Sequence, residues 1–230
     1  VSAADSSQFS PVTQEKVTAY EVGAKLPLFD RKLQFNTAVY YYDYINKQTR
    51  GRVRDRVFGQ LERLVNIPKS RIWGFEGEMV ARPVDGLRLS LAGSYTNTKI
   101  KEFVTINTLG EDTDFAGTSL PFTPKWSSVG DAEYTAPINS SLDGFIGGSY
   151  TYHGSTKSVF DDLPFYRIKP YTLFDARFGI ANEAQKWKAS AWVRNLTNKY
   201  YYDSIFFFID TGFRQPGRPR TFGLTFEIGY

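Results

Sequence analysis

Cysteine is absent from the 230 residues, and histidine and methionine occur once each. With no thiol and a single imidazole, His153, the sequence excludes a Cys/His zinc centre, a disulfide framework and a cysteine nucleophile. Long apolar runs are missing as well. The longest covers 205–209, far short of the roughly 18–20 residues that a membrane-spanning helix needs. Nor does one sign of charge dominate: 28 Lys plus Arg stand against 24 Asp plus Glu, a net +4. That balance is too even for a disordered charged tail and too weakly basic to argue for a nucleic-acid partner. Aromatic residues are what the sequence has in excess, at 17%. Mean hydropathy is negative, which leaves a soluble globular domain possible. It leaves a transmembrane β-barrel possible too, because only alternate residues of such strands face lipid.

Period-2 alternation runs through the chain and helical periodicity is almost missing. The last segment shows it most plainly. Phe222, Leu224, Phe226, Ile228 and Tyr230 share one face, while Thr221, Gly223, Thr225, Glu227 and Gly229 share the other. The pattern predicts nine strands, near 14–26, 31–49, 66–83, 86–104, 120–136, 142–157, 169–181, 186–208 and 218–230. Several exceed the ~5–6 residues usual in soluble sheets and suit tilted membrane strands.

Short connections (27–30, 83–85, 137–141 and 182–185) alternate with long ones (50–65, 105–119, 158–168 and 209–217). Short turns at one end and long loops at the other are the asymmetry of outer-membrane barrels. Asn195-Leu196-Thr197-Asn198 has turn chemistry, but a turn there would put two connections in succession, so it is read as a bulge within one long strand. Nine strands beginning at the long-loop end read as the C-terminal part of a larger antiparallel barrel, since closed single-chain barrels have even strand numbers.

The order of local motifs sharpens this. Tyr20-Glu21-Val22-Gly23-Ala24-Lys25, Trp73-Gly74-Phe75-Glu76-Gly77-Glu78, Pro121-Phe122-Thr123-Pro124-Lys125, Asn195-Leu196-Thr197-Asn198-Lys199-Tyr200-Tyr201 and Gly217-Arg218-Pro219-Arg220 occur in this order. A Tyr-rich strand at 40–44 follows the first, and a terminal aromatic follows the last. Together they resemble the C-terminal strands of TonB-dependent outer-membrane receptors, across nearly the whole sequence. The resemblance implies a Gram-negative outer-membrane barrel of about 22 strands, of which these would be the last nine, with the C-terminus periplasmic. It implies transport energised by the TonB complex through a plug domain outside this sequence, and ligands of which ferric siderophores are the leading class. It also implies that the 222–230 strand closes the barrel and is read by the barrel-assembly machinery. No catalysis, prosthetic group or other cofactor is implied.

Candidate site residues follow from charge. Arg50, Arg52, Arg54 and Arg56 recur at period 2, so an extended chain sets four guanidiniums on one side. With Arg63, against Asp55 and Glu62, the segment carries a local +3. Such a ladder answers to an anionic ligand, to lipopolysaccharide phosphates, or to its own loop acids. Tyr166, Arg167, Phe213 and Arg214 on later long loops would complete an aromatic and cationic vestibule. If no bulge intervenes, the ladder faces the barrel entrance. Residues 57–65 also fit a helical stripe. Glu111, Asp112 and Asp114, with the Asp161-Asp162 pair, read as solvated loop acids rather than a metal site. Trp73, Trp126, Trp187, Tyr41, Tyr95 and Tyr230 lie near strand ends, where aromatic girdles sit.

Two rival readings share parts of this pattern. A passive porin would show the same alternation and girdles without a plug. A soluble β-sandwich binding module would also alternate, with shorter strands and no short–long asymmetry.

Overall fold

In the computed structural model, which describes residues 6–57, 59–182, 184, 186–208 and 211–229, the chain forms one nine-stranded antiparallel sheet. Its strands are β1 (Lys16–Leu28), β2 (Leu33–Asp55), β3 (Gly59–Ala81), β4 (Leu87–Glu102), β5 (Trp126–Pro137), β6 (Asp143–His153), β7 (Tyr171–Asn182), β8 (Trp187–Arg194) and β9 (Thr221–Ile228). Each pairs with the next in chain order. Strands β1 and β9 stand at the two edges, so the sheet is an open wall and not a closed barrel.

The short turns form where local chemistry demands them. Phe29, Asp30 and Arg31 all take positive φ, at 52°, 54° and 67°, and Lys32 N–H closes the turn on Phe29 O at 3.0 Å. Gly86 turns the chain into β4 at φ 79°. A Cβ there would lie 2.1 Å from Thr135 O, so only glycine fits. At the next short turn the Asn139 side chain accepts hydrogen bonds from the Ser141 and Leu142 amides.

Two expected connections are different in the structure. Residues 50–65 do not form a long loop or a helix. Strands β2 and β3 run 23 residues each and meet in a tight turn, which Val57 N–H closes on Asp55 Oδ1 at 2.7 Å. About 9–11 residues cross a membrane, so more than half of this hairpin extends beyond it. The segment at 195–198 is a turn and not a bulge. Asn195 and Asn198 both take left-handed conformations, at φ 50° and 51°, which a continuous strand does not accept. The Asn195 side chain bonds Lys199 N–H and donates to Lys199 O and Arg218 O, while its own N–H reaches Asp175 Oδ1 at 2.8 Å. Beyond it, Tyr202–Phe208 and Thr211–Pro216 pair as a separate hairpin. The short–long alternation fails at the β2–β3 connection, which is a tight turn, and holds from β3 onward, because 195–220 is one long connection with its own hairpin. The 121–125 motif likewise lies ahead of β5 as a loop.

Large apolar side chains are exposed in rows on one face. Val22, Val39, Phe75, Tyr95 and Trp126 lie in register across five strands, and Tyr134, Ile146, Phe178, Ala191 and Leu224 across another five. Leu224 is 86% exposed, and Phe222, Phe226 and Ile228 are at least 64% exposed. A water-soluble protein does not leave such a surface uncovered; hydrocarbon covers it in a barrel. Tyr41, Trp73, Tyr95 and Trp126 form a continuous aromatic belt on this face. Tyr20 stands 6.4 Å from Tyr41, Trp73 stands 5.4 Å from Tyr95, and Tyr95 stands 4.8 Å from Trp126. Trp187 stacks near Phe226 at the short-turn end, 6.1 Å away. Tyr230 lies outside the described residues.

Candidate functional site

The opposite face of the wall is polar and its groups pair across strands. Arg177 on β7 donates two hydrogen bonds to Asp131 at 2.6 and 3.0 Å and one to Glu133 at 2.8 Å. Gly147 lies under that guanidinium, which a Cβ would meet at 2.9 Å. Tyr40 crosses over Gly74 to reach the Thr96 hydroxyl at 2.8 Å. These pairs line a water-facing surface rather than a lipid one.

At the long-loop end, the loops are held by two apolar clusters. Ile67, Ile100, Phe103, Phe115, Leu120 and Phe160 form the larger one. Tyr166, Ile168 and Ile205 form the smaller. The loops therefore stand as a packed mouth, with charged and aromatic groups carried around its apolar supports.

The mouth gathers some of the expected residues and separates others. On β2 the inner face changes parity near Asn46, which takes φ 54° opposite Pro68; β3 and β4 also slip register between Lys69 and Ser70. The arginine ladder therefore does not simply continue the polar face of β2. Arg52 donates to Gln60 Oε1 at 3.2 Å and stands against Tyr166. Arg54 donates to Gly110 O at 2.5 Å, tying the β2–β3 hairpin to the loop before β5. Arg50 and Arg56 are exposed. Arg63 lines a separate cavity of about 220 Å³ with Arg52, Pro11 and Phe103. Arg214 lies 4.5 Å over the Phe165 ring and 5.4 Å from that of Tyr202, while Phe213 stacks on Phe206 at 5.3 Å. Thus Arg52, Tyr166 and Arg214 meet through the 164–168 segment.

Arg167 pairs with Asp162 at 2.8 Å and lines a polar cavity of about 400 Å³ together with Lys125, Lys157, Thr123 and Tyr152. Lys125 and Lys157 were not candidates from sequence. Single lysines in loops carry no pattern, although Lys125 ends the Pro121–Lys125 motif. Burial pushes the Lys157 ammonium below the ordinary lysine range, and Asp162 and Asp161 partly offset this. Its Nζ donates to Phe160 O at 2.5 Å. The hydrogen bond from Arg167 holds the Asp162 carboxyl below its usual value. Burial raises the Tyr166 hydroxyl, against the pull of Thr108 and Arg52. A partly desolvated ammonium beside a guanidinium and hydroxyls is chemistry for holding an anion.

The expected loop acids are used locally. Glu111 accepts from the Asn107 side chain at 3.4 Å, Asp114 from the Ala116 amide at 2.8 Å and Asp161 from the Thr108 amide at 3.2 Å. His153 lies parallel to the Tyr171 ring at 5.2 Å, with Nδ1 3.0 Å from Gly154 O.

The comparisons with known proteins agree with this architecture. The family model described as TonB dependent receptor-like, beta-barrel, matches residues 3–196. Similar solved structures include the siderophore receptor PiuA from Acinetobacter baumannii, with TM-score 0.69, 17% identity, 91% of this chain and 28% of that one. The ferric yersiniabactin uptake receptor FyuA from Yersinia pestis gives TM-score 0.72 at 17% identity, over 92% of this chain and 29% of that one. The ferric-catecholate import receptor Fiu from K12 E. coli gives TM-score 0.67 at 20% identity, over 98% and 29%. The chain thus spans under a third of the length of these receptors. It belongs to the family of TonB-dependent receptor-like β-barrels.

Proposed function

We propose that the chain is part of the wall and mouth of an outer-membrane receptor that captures a scarce anionic ligand, a ferric siderophore, for uptake energised by the TonB complex. The carrying observation is the convergence of Lys125, Lys157 and Arg167 on one polar cavity in the loop mouth, beside the Arg52–Tyr166 and Phe165–Arg214 contacts. Ferric complexes of catecholate and carboxylate siderophores are anionic, and aromatic surface suits the rings of the catecholates. The siderophore and ferric-complex receptors among the structural relatives support the class of ligand. In this reading the arginine ladder attracts the ligand from solution, because a concentrated positive field raises the encounter rate. The 222–230 strand closes the barrel, and its assembly in the outer membrane passes through the barrel-assembly machinery.

The test is calorimetric binding of ferric catecholate, hydroxamate and carboxylate siderophores to the whole receptor in detergent. One class should bind, and Lys157→Met or Arg167→Gln should weaken it about 10- to 100-fold, the worth of one charge-assisted hydrogen bond. Binding by none of the classes, or binding indifferent to both substitutions, would overturn the proposal.

A further inference from the structure

A basic cluster stands on the lipid-facing side of the wall, away from the mouth. Three neighbouring strands follow the same order as they leave the aromatic belt for the long-loop end. On β2, Tyr41 is followed by Asp43; on β3, Trp73 is preceded by Arg71 and Lys69; on β4, Tyr95 is followed by Asn97, Lys99 and Lys101. The register aligns Asp43 with Arg71 and Arg71 with Lys99, so these three share one face. That face is the outer one, because the alternating residues Thr98 and Ile100 are buried on the other side. Lys101 occupies the register slip between β3 and β4, where it feels the charges of Arg71, Lys99 and Lys69 together. Four cations therefore meet on one patch, countered by Asp43 and by Glu102, which is aligned with Lys69.

The counter-charge is incomplete in geometry as well as in number. Asp43 Oδ1 is 3.6 Å from Arg71 Nε, beyond hydrogen-bond reach. That Nε is shielded from solvent and has no hydrogen-bond partner. The guanidinium is held 5.1 Å over the Tyr41 ring, so it is fixed at the belt. Two residues of strand rise about 7 Å, so Arg71 and its partner Lys99 stand one step above the Trp73 ring, and Lys69 and Lys101 stand up to one step further. Tyrosine and tryptophan rings prefer the membrane–water interface, so that step is the level of lipid headgroups. The long-loop end faces the cell exterior in the proposed receptor, and the outer leaflet there presents phosphorylated saccharolipid.

We propose that Lys69, Arg71, Lys99 and Lys101 form a binding site for the phosphate groups of the outer-leaflet glycolipid, lipopolysaccharide. The proposal rests on the outer-membrane reading above. Guanidinium and ammonium groups on two adjacent strands, β3 and β4, span a headgroup carrying two phosphates, and Trp73, Tyr95 and Trp126 meet its acyl chains at the belt. The site is distinct from the ligand mouth, which lies among the loops.

The experiment uses the whole receptor with Lys69→Gln, Lys99→Gln and Lys101→Gln combined, and the corresponding three-arginine variant as a conservative control. The probes are nanodiscs of phosphatidylcholine containing diphosphoryl lipid A, monophosphoryl lipid A or phosphatidylglycerol, with bound lipid counted by native mass spectrometry. The wild type and the arginine variant should retain diphosphoryl lipid A over phosphatidylglycerol by at least tenfold, with the monophosphoryl form between them. The glutamine variant should lose that preference. Equal retention by the glutamine variant would overturn the proposal, as would displacement of lipid A by millimolar inorganic phosphate, which would mean a simple anion site. Lipid-restricted quenching of a fluorophore at position 224 separates this from failure of the parent reading. Quenching without lipid A preference sinks only the glycolipid site, whereas absence of quenching sinks the membrane wall itself.

Discussion

Arginine placed along β9 should report depth in the membrane. The strand runs from Thr221 to Ile228, with Arg220 at its upper end, 5.7 Å from the Phe222 ring. At its lower end Gly229 N–H bonds Lys186 O at 2.7 Å. With about 3.3 Å per residue and a tilt near 40°, Leu224 lies about 10 Å below Arg220, close to the middle of a ~25 Å apolar band. By the same rise Phe226 lies about 15 Å below Arg220, equally near the middle, so Leu224→Arg and Phe226→Arg should each cost about 2–4 kcal/mol, and Ile228→Arg, about 20 Å down, should cost less than either. Thr225 is on the other face and accepts a hydrogen bond from Trp192 Nε1 at 3.0 Å. Thr225→Arg should cost only about 1 kcal/mol, the worth of that bond. Urea titration of the whole receptor folding into phospholipid vesicles, read by heat-modifiable migration, measures all four. If Thr225→Arg costs as much as Leu224→Arg, or if the three apolar positions cost the same, the assignment of this face to lipid is wrong.

Three further outcomes are expected. Arg177→Met leaves Asp131 and Glu133 facing each other without their cation, and should cost about 1–3 kcal/mol in the same vesicle titration, since the site is only partly shielded. Combining it with Asp131→Asn and Glu133→Gln should restore most of the loss; no recovery would mean that packing, not charge, is what the arginine supplies. Arg52→Gln with Arg54→Gln should slow capture of a ferric catecholate in stopped flow at low salt, with the difference shrinking as salt rises; a salt-independent difference would contradict electrostatic capture. Affinity for that ligand should fall as pH rises through the lowered lysine pKa at position 157, beginning below the ordinary lysine range, because the depressed ammonium loses its charge first. Lys157→Arg should move that fall to higher pH, and an unchanged calorimetric pH profile would remove Lys157 from the site.

The wall was legible in the sequence because a strand with one face in lipid and one in water must alternate residue by residue. Phe222, Leu224 and Phe226 against Gly223 and Thr225 express that constraint directly, and the short turns were marked by residues such as Asn139 and Gly86. Where the constraint ends, so does the signal. Beyond the belt both faces of β2 and β3 meet water or loops, so Arg50 to Asp55 loses its apolar face while remaining strand. At Asn195–Asn198 the turn chemistry is visible, but strict alternation of short and long connections conceals it, because a single long loop carries its own hairpin. The mouth was only partly legible. Arg52, Tyr166 and Arg214 announced themselves by charge and aromaticity. Lys157 enters the proposed site through its burial, and burial in a folded loop leaves no mark in the local sequence. The fold does not choose among ligands either: a copper transporter, OprC, shares it at TM-score 0.72 and 16% identity.

Uptake of radioactive iron tests the central claim most directly. Cells in which the whole receptor is the sole route for a ferric siderophore should accumulate iron while the proton-motive force is maintained. They should stop when an uncoupler is added, although the siderophore stays bound at the surface. Arg167→Gln with Lys157→Met should abolish both binding and accumulation at limiting ligand. Accumulation that continues at the same rate without the proton-motive force would contradict energised transport and favour a passive channel.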